Sequence, residues 1–456
     1  MAKPTHHPQA TNAEPLVAIA RAIRHRERSA VETLELHARQ VAQLNPLLNA
    51  VVALDLEGAT ARARDADAAL ARGENWGPLH GVPFALKDCH EVAGFPTTAG
   101  SKWFAGYRPA RDGAVMSRLR AAGAILIGRT NVAELLADFQ CANPVYGRTC
   151  NPFDAGRTSG GSTGGAAAVA TGMTPFDIGT DMAGSVRLPA AFCGVYGLKP
   201  TEHRISAAGA FPNPHNHPRS VRTLSCIGPV ARHVDDLVLL MNVLGAPSAE
   251  AMDVPPVPLT EPASGAKGLR VAYVPSLDGG PIAATSAQAL KRAADTLASY
   301  GAVVEEVRAP VADIATDLQA HGDLVQMMVG AFQPSGEPRP TFEEHLRASA
   351  RREERSAELE RWFAAWDVLL CPVAMTNAFA HNERLAPIRV NGKPQPYHRI
   401  ASHVAWFNYT GHPALSVPAG CDEHGLPLAV QLVSARWQEG KLLALARALQ
   451  PMAGPE

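Results

Sequence analysis

Gly160-Gly161-Ser162-Thr163-Gly164-Gly165 and, further along, Asp181-Met182-Ala183-Gly184-Ser185-Val186-Arg187 are two serines braced by glycine on either side of a short apolar stretch. Glycine allows φ > 0 and lets backbone N–H groups approach a bound atom closely, which a nucleophile and its oxyanion hole require. Between the two, Ala166-Ala167-Ala168-Val169-Ala170 is small and apolar all round, so a helix there is expected to be fully buried and to seat the first serine loop against the core. Turn chemistry alone accounts for one such serine. It does not account for two, with Asp181 and Arg187 flanking one of them.

Upstream, Val82-Pro83-Phe84-Ala85-Leu86-Lys87-Asp88 reads as a buried strand that delivers Lys87 to its end. A serine hydroxyl is a weak nucleophile until a base takes its proton, and a desolvated lysine held neutral can be that base. Ser162 could carry the proton between Lys87 and Ser185 if all three line one cavity, with the N–H groups of Met182, Ala183, Gly184 and Ser185 facing the developing oxyanion. The alternative for Lys87 is an ion pair with Asp88 or another carboxylate. Nucleotide binding ranks below hydrolysis. Gly164-Gly165 is followed by alanine where a P-loop needs lysine, the loop follows no convincing strand, and no Gly-x-Ser-x-Gly elbow occurs.

Around these loops the pattern alternates between helix and strand. Ser29 and Glu32 form a capping box for a helix expected to run to Pro46, and a second, Ala-rich helix spans about Leu56 to Ala71. A helix from Ala114 leads to the strand Ala124-Ile125-Leu126-Ile127. The βα alternation that follows implies an α/β sheet with helices on both faces. Beyond a Pro-rich linker at 246–268, strands are expected at Leu269–Val274, Val303–Val307, Val368–Pro372, Ala414–Val417 and Leu428–Val433. Helices are expected at about 285–300, 311–330 and 342–363. The expected organisation is one domain: N-terminal helices over about 14–72, a core over about 76–245, the linker, and a C-terminal part over 269–450 that returns to the same sheet and supplies pocket helices.

Composition agrees with an ordinary soluble globular protein: 456 residues, 46% hydrophobic, 19% charged, formal net charge −1. No basic block stands out, so nucleic acid and anionic membranes are poor partners. The seven cysteines are scattered without Cys-x-x-Cys spacing, which argues against a disulfide framework and a zinc site. His6-His7, His215-x-His217 and His233 have no metal-ligand spacing, so no metal or cofactor is expected. Met1–Pro8 lacks a signal-peptide run and no apolar stretch is of spanning length; a reducing cytoplasm is the expected compartment.

With these residues in view, the chain resembles the amidase signature family of serine hydrolases, which use a Ser-Ser-Lys triad. The similarity runs from about Val31 to Ala448 and is densest in Gly77–Asp88, Gly128-Arg129-Thr130-Asn131, Asn143–Gly147, both serine loops, Phe192–Thr201, Gly228–Arg232 and Phe407–Ala414. The resemblance implies a single domain around a large mixed sheet flanked by helices. It implies Ser185 as the acyl-accepting nucleophile, Ser162 as a bridging serine on a cis peptide, and Lys87 as the ultimate base, with Thr163, Asp181 and Arg187 in support. Thr163 stands where serine is usual, Ala183 where glycine is commoner, and His203 where glycine is usual. The interval from Ser162 to Ser185 is one residue shorter than the family pattern.

The implied reaction is attack on the carbonyl of a fairly apolar small-molecule amide, departure of the amine and hydrolysis of the acyl-enzyme by water. Esters, anilides and carbamates (urethanes) are within the family's range. Phe139, Gln140, Tyr146, Met327 and Met328 are the candidate pocket residues, and the assembly is taken as a monomer or homodimer. Two further readings are the glutamine-hydrolysing subunit of a tRNA-dependent amidotransferase and a catalytically silent binding protein. Asn131-Val132-Ala133-Glu134-Leu135 departs from the Asn-Met-Asp-Glu-Phe usual in the former.

Overall fold

The computed structural model describes residues 14–212, 221–245, 247, 254–262, 264–277, 279–310, 313–329 and 341–453. His6, His7, His215 and His217, and part of the Pro-rich segment, lie outside them.

The capping box at Ser29 and Glu32 opens the helix Ala30–Leu48. This helix continues through Pro46, where the sequence pattern expects it to stop. Pro46 sits in the last turn, so few bonds are lost there, and the end is set instead by Asn49 in the left-handed region, φ 49°. The Asn45 side chain receives the Ala50 and Val51 N–H groups at 2.8 Å each. The next helix, Leu56–Ala71, buries Ala59, Ala63, Ala66 and Ala69, a stripe of small residues that permits close packing.

An eight-stranded mixed sheet forms the centre, in the order Val303–Glu306, Arg270–Tyr273, Val368–Pro372, Pro427–Ser434, Ala414–Cys421, Tyr196–Lys199, Cys226–Ala231, Phe176–Asp181. The first three strands pair in parallel and the remaining pairs are antiparallel. Both faces are covered, because successive side chains of a strand point to opposite sides. Val368 and Leu370 join a core with the helices Ala284–Ser299 and Glu439–Leu449. Leu369 and Cys371 face the other way, onto Leu359, Trp406 and Phe407. Among the described residues no helix is long and apolar enough to cross a membrane.

The strand carrying Lys87 is not part of this sheet. Pro83–Lys87 pairs in parallel with Ile125–Thr130, which pairs antiparallel with Val51–Val52, in a separate three-stranded sheet. Local βα alternation marks these strands but does not say which sheet receives them. The small sheet is held against the edge strand Phe176–Asp181: Ala85 N–H donates to Thr174 Oγ1 at 3.0 Å, His90 Nε2 meets the Ile178 carbonyl at 3.0 Å, and Phe84 stacks on Phe176 at 5.2 Å. The end of one strand is thereby set beside the end of the other.

His203 stands where glycine is usual. It adopts φ 67°, the left-handed conformation glycine takes freely, and its ring stands 3.7 Å from the Glu202 carboxylate.

Candidate active site

Lys87 is fully buried. Its Nζ lies 2.9 Å from Ser162 Oγ, 2.9 Å from Thr180 Oγ1 and 3.3 Å from the Thr180 carbonyl oxygen. Asp88 is engaged elsewhere, with the Thr98 N–H at 3.0 Å and Arg129 Nε at 3.5 Å, so the alternative ion pair with Lys87 is not made. Burial pushes the Lys87 pKa down, and the charges of Asp177 and Asp181 oppose that shift without reversing it. A neutral amine has two hydrogens and one lone pair. With a carbonyl and two hydroxyls around it, that lone pair can accept the proton of Ser162.

The first serine loop is built by close backbone approach. The Gly161–Ser162 peptide is cis. A Cβ on Gly161 would lie 2.2 Å from the Asp138 carbonyl oxygen and 2.6 Å from the Gln140 nitrogen, so only glycine fits beneath the 138–140 segment. The loop also pairs with the segment after Thr130: Ala133 N–H donates to the Ser162 carbonyl at 3.1 Å and Gly164 N–H to the Asn131 carbonyl at 2.7 Å. Thr163 Oγ1 receives the Gly165 N–H at 3.0 Å and donates to Asp177 Oδ2 at 3.1 Å.

The second loop turns around Asp181. Its carboxylate accepts the N–H groups of Gly184 at 2.8 Å and Val186 at 3.2 Å, and the Arg187 guanidinium in two-pronged fashion at 2.9 and 3.0 Å. Burial pushes the Asp181 pKa up, but the Arg187 guanidinium, with Lys199 and the Gly184 N–H, more than reverses this and holds it well below the usual carboxylate range. Gly184 takes φ 101°, and a Cβ there would lie 2.5 Å from Val404. One sequence-based expectation changes here. The Gly184 N–H points to Asp181 and is not an oxyanion donor, whereas among the described residues the N–H groups of Met182, Ala183 and Ser185 have no protein acceptor. Ser185 is half-buried, and its Oγ makes no hydrogen bond to Ser162 or to any other described residue.

The candidate pocket residues part company. Phe139, Ala183, Leu188, Val404 and Leu318 share one apolar cluster, and Met182, Leu318, Met327, Met328 and Trp406 another, so Ala183 packs against one cluster and Met182 against the other. Met328 is buried, with its sulfur 3.8 Å from Thr223 Oγ1. The Gln140 amide is occupied as a two-point clamp on the Asn382 backbone, at 2.8 and 2.9 Å, so it does not offer a polar group to a ligand. Tyr146 lies near Asp88 and Thr98.

Several residues at the site were assigned no role from the sequence, although Asn408 lies in the Phe407–Ala414 segment of the resemblance. Asn408 and Gln431 receive the Arg187 guanidinium at 2.6 and 2.8 Å, and Asn408 Nδ2 holds the Asp181 carbonyl at 2.8 Å. Asp177 is buried, and burial raises its pKa to about 6 despite Lys87 and two threonine hydroxyls. A carboxylate interrupting the apolar run Phe176-Asp177-Ile178 was the available signal. His321 Nε2 lies 2.8 Å from the Met182 carbonyl. Among the described residues no cluster of His, Cys, Asp and Glu could hold a metal.

Buried titrating groups give the fold a defined acid sensitivity. Burial lowers the pKa of His37 to about 4, His90 to about 3 and His321 to about 4. A depressed imidazole contributes stability that is present above pH 6.5 and is lost as pH falls, because the unfolded chain takes up the proton first. Asp177, being raised, acts in the opposite sense between about pH 6 and 3.8. Burial lowers the pKa of His412 and raises that of Asp88, in the same two senses. With the imidazoles outweighing the carboxyls, the unfolding free energy should fall as pH drops from 6 to 4.5, each imidazole contributing at most about 1.4 kcal/mol per pH unit. Urea denaturation at pH 6.5, 5.5 and 4.5 measures the slope; a flat profile would contradict these assignments.

The family model described as Amidase matches residues 32–328 and 322–443. A glutamyl-tRNA(Gln) amidotransferase subunit from Anaeromyxobacter dehalogenans (strain 2CP-C) is 34% identical over 478 residues, which cover 94% of this chain and 94% of that protein. The AtzE subunit of 1-carboxybiuret hydrolase from Pseudomonas sp. (strain ADP) is 32% identical over 450 residues, covering 92% and 95% respectively. Among solved structures, 6-aminohexanoate cyclic dimer hydrolase complexed with substrate matches with a TM-score of 0.82 and 27% identity over 97% of each chain.

Proposed function

This chain belongs to the amidase family, hydrolases of amide C–N bonds, and on that premise we propose that it cleaves a small, largely apolar amide through an acyl-enzyme on Ser185. The observation that carries the reading is the fully buried Lys87, bonded to Ser162 Oγ and Thr180 and, among the described residues, to no carboxylate. Lys87 takes the Ser162 proton as Ser162 takes that of Ser185. The Ser185 oxygen then bonds to the substrate carbonyl carbon, and the resulting oxyanion faces the N–H groups of Met182, Ala183 and Ser185. Collapse breaks the C–N bond, and the leaving amine receives its proton through Ser162. Water attacks the acyl ester by the same relay and regenerates Ser185. Ser162 and Ser185 make no hydrogen bond to each other; such bonds commonly tighten only when substrate is bound.

The apolar side chains beside Met182 and Ala183 support an apolar acyl or amine group. The same attack serves esters, anilides and carbamates, and water is the only co-substrate required. A fluorophosphonate should label Ser185, located by peptide mass spectrometry, and kcat/KM across primary amides, anilides, aryl esters and aryl carbamates ranks the carbonyl classes. Labelling elsewhere, or a panel in which nothing is turned over, removes the proposal.

The name of the Anaeromyxobacter relative favours a second reading, a glutaminase subunit working inside a tRNA-dependent complex. Glutaminase activity together with a co-purifying partner protein would select it. A chain that runs as a monomer or homodimer and rejects glutamine would select the stand-alone enzyme.

A further inference from the structure

The helix Ile314–Val329 reaches the oxyanion segment through one side chain. His321 is buried, 6% exposed, and its Nε2 stands 2.8 Å from the carbonyl oxygen of Met182. A carbonyl can only accept, so Nε2 carries the hydrogen. Burial, with Arg352 and Arg187 nearby, disfavours the charged ring, and the imidazole is therefore neutral near pH 7. One turn earlier the helix is anchored: Asp317 receives the Trp406 Nε1–H at 2.8 Å and pairs with Arg355 at 2.7 Å. Leu318 packs in both apolar clusters that flank Met182 and Ala183. The donor is thus fixed in place by its own helix.

A trans peptide points the C=O of one residue and the N–H of the next in opposite directions, and the Met182–Ala183 peptide is not among the cis bonds of the chain. Holding the Met182 carbonyl on His321 therefore turns the Ala183 N–H to the far side of the peptide plane. That N–H is one of the three in the turn without a protein acceptor. At the other end the turn is fixed by Asp181, which takes the Gly184 and Val186 N–H groups. Nothing else among the described residues holds the Met182 carbonyl.

We propose that His321 is a positioning residue for the oxyanion hole, aiming the Ala183 N–H at the carbonyl oxygen under attack. The proposal rests on the reading of Ser185 as nucleophile given above. It predicts a loss in the transition state with little change in substrate binding. With His321→Leu, kcat for p-nitroacetanilide should fall about 10- to 100-fold while KM stays within about threefold, since a misaimed donor forfeits part of what deleting one costs. Affinity for a trifluoromethyl ketone, which forms an oxyanion on Ser185, should fall by a similar factor. His321→Gln, whose amide nitrogen can stand near the position of Nε2, should recover most of both.

Unchanged kcat and ketone affinity in His321→Leu would overturn the proposal, as would a loss carried wholly by KM. If His321→Leu does not fold, His321→Gln decides: near wild-type kcat and ketone affinity support the role, and a loss of both in a folded protein contradicts it. Fluorophosphonate labelling separates the two levels. Failure of the wild type to label on Ser185 removes the underlying reading, whereas wild-type labelling with an equal rate in His321→Leu removes only the role of His321.

Discussion

Alanine at position 185 is expected to lower kcat toward p-nitroacetanilide by about 100,000-fold, because no covalent intermediate can then form and only binding and the backbone donors remain. Lys87→Ala should cost less, about 100- to 10,000-fold, the range for loss of general acid–base assistance. The two should not add. Once the nucleophile is gone the base has nothing to activate, so the double variant should be no slower than Ser185→Ala alone. In the wild type, kcat/KM should rise with pH through an apparent pKa below the 10.5 of free lysine, since burial lowers the pKa of Lys87. Lys87→Ala should lose that limb. Additive losses, or a pH profile that Lys87→Ala leaves untouched, would separate Lys87 from the reaction.

Arg187→Met should have the largest effect on stability, about 3–5 kcal/mol at pH 7, because it leaves the fully buried Asp181 carboxylate without its partner. It also strips Asn408 and Gln431 of their guanidinium contacts. The sign of the pH dependence follows from Asp181. In the wild type its carboxyl is held well below the ordinary range, so its contribution is present above pH 3.8 and is lost only in stronger acid. Without Arg187, burial is opposed only by Lys199 and the Gly184 N–H, so that pKa rises and the variant regains stability relative to the wild type as pH falls and the proton is taken up. The deficit should be greatest near pH 7 and narrow below about pH 5. Chemical denaturation of both proteins at pH 7 and pH 4.5 measures it. A deficit under about 1 kcal/mol at pH 7 would mean that the pair behaves like an exposed one.

Local chemistry was open to reading. The alanine stripe of the helix Leu56–Ala71, the Ser29 capping box and the strand Val368–Pro372 follow from periodicity and turn residues, which act over a few positions. Gly161 and Gly184 announce close approach because no other residue tolerates what lies against them. A lysine at the end of an apolar strand announces burial, and burial alone is enough to depress its pKa.

The sequence by itself therefore determined which groups could react: two braced serines, a buried amine, and a turn rich in N–H donors. Tertiary structure decided which of them meet. Ser162 and Thr180 reach Lys87 from positions 75 and 93 residues away, and Asn408 reaches Arg187 across 221. It also moved the Lys87 strand out of the large sheet, withdrew the Gly184 N–H to Asp181 and brought His321 to the Met182 carbonyl. The physical reason is that alternation records which face of an element is buried, not against what. A hydrogen bond needs its two atoms within about 3 Å, and only packing of the whole chain sets that distance.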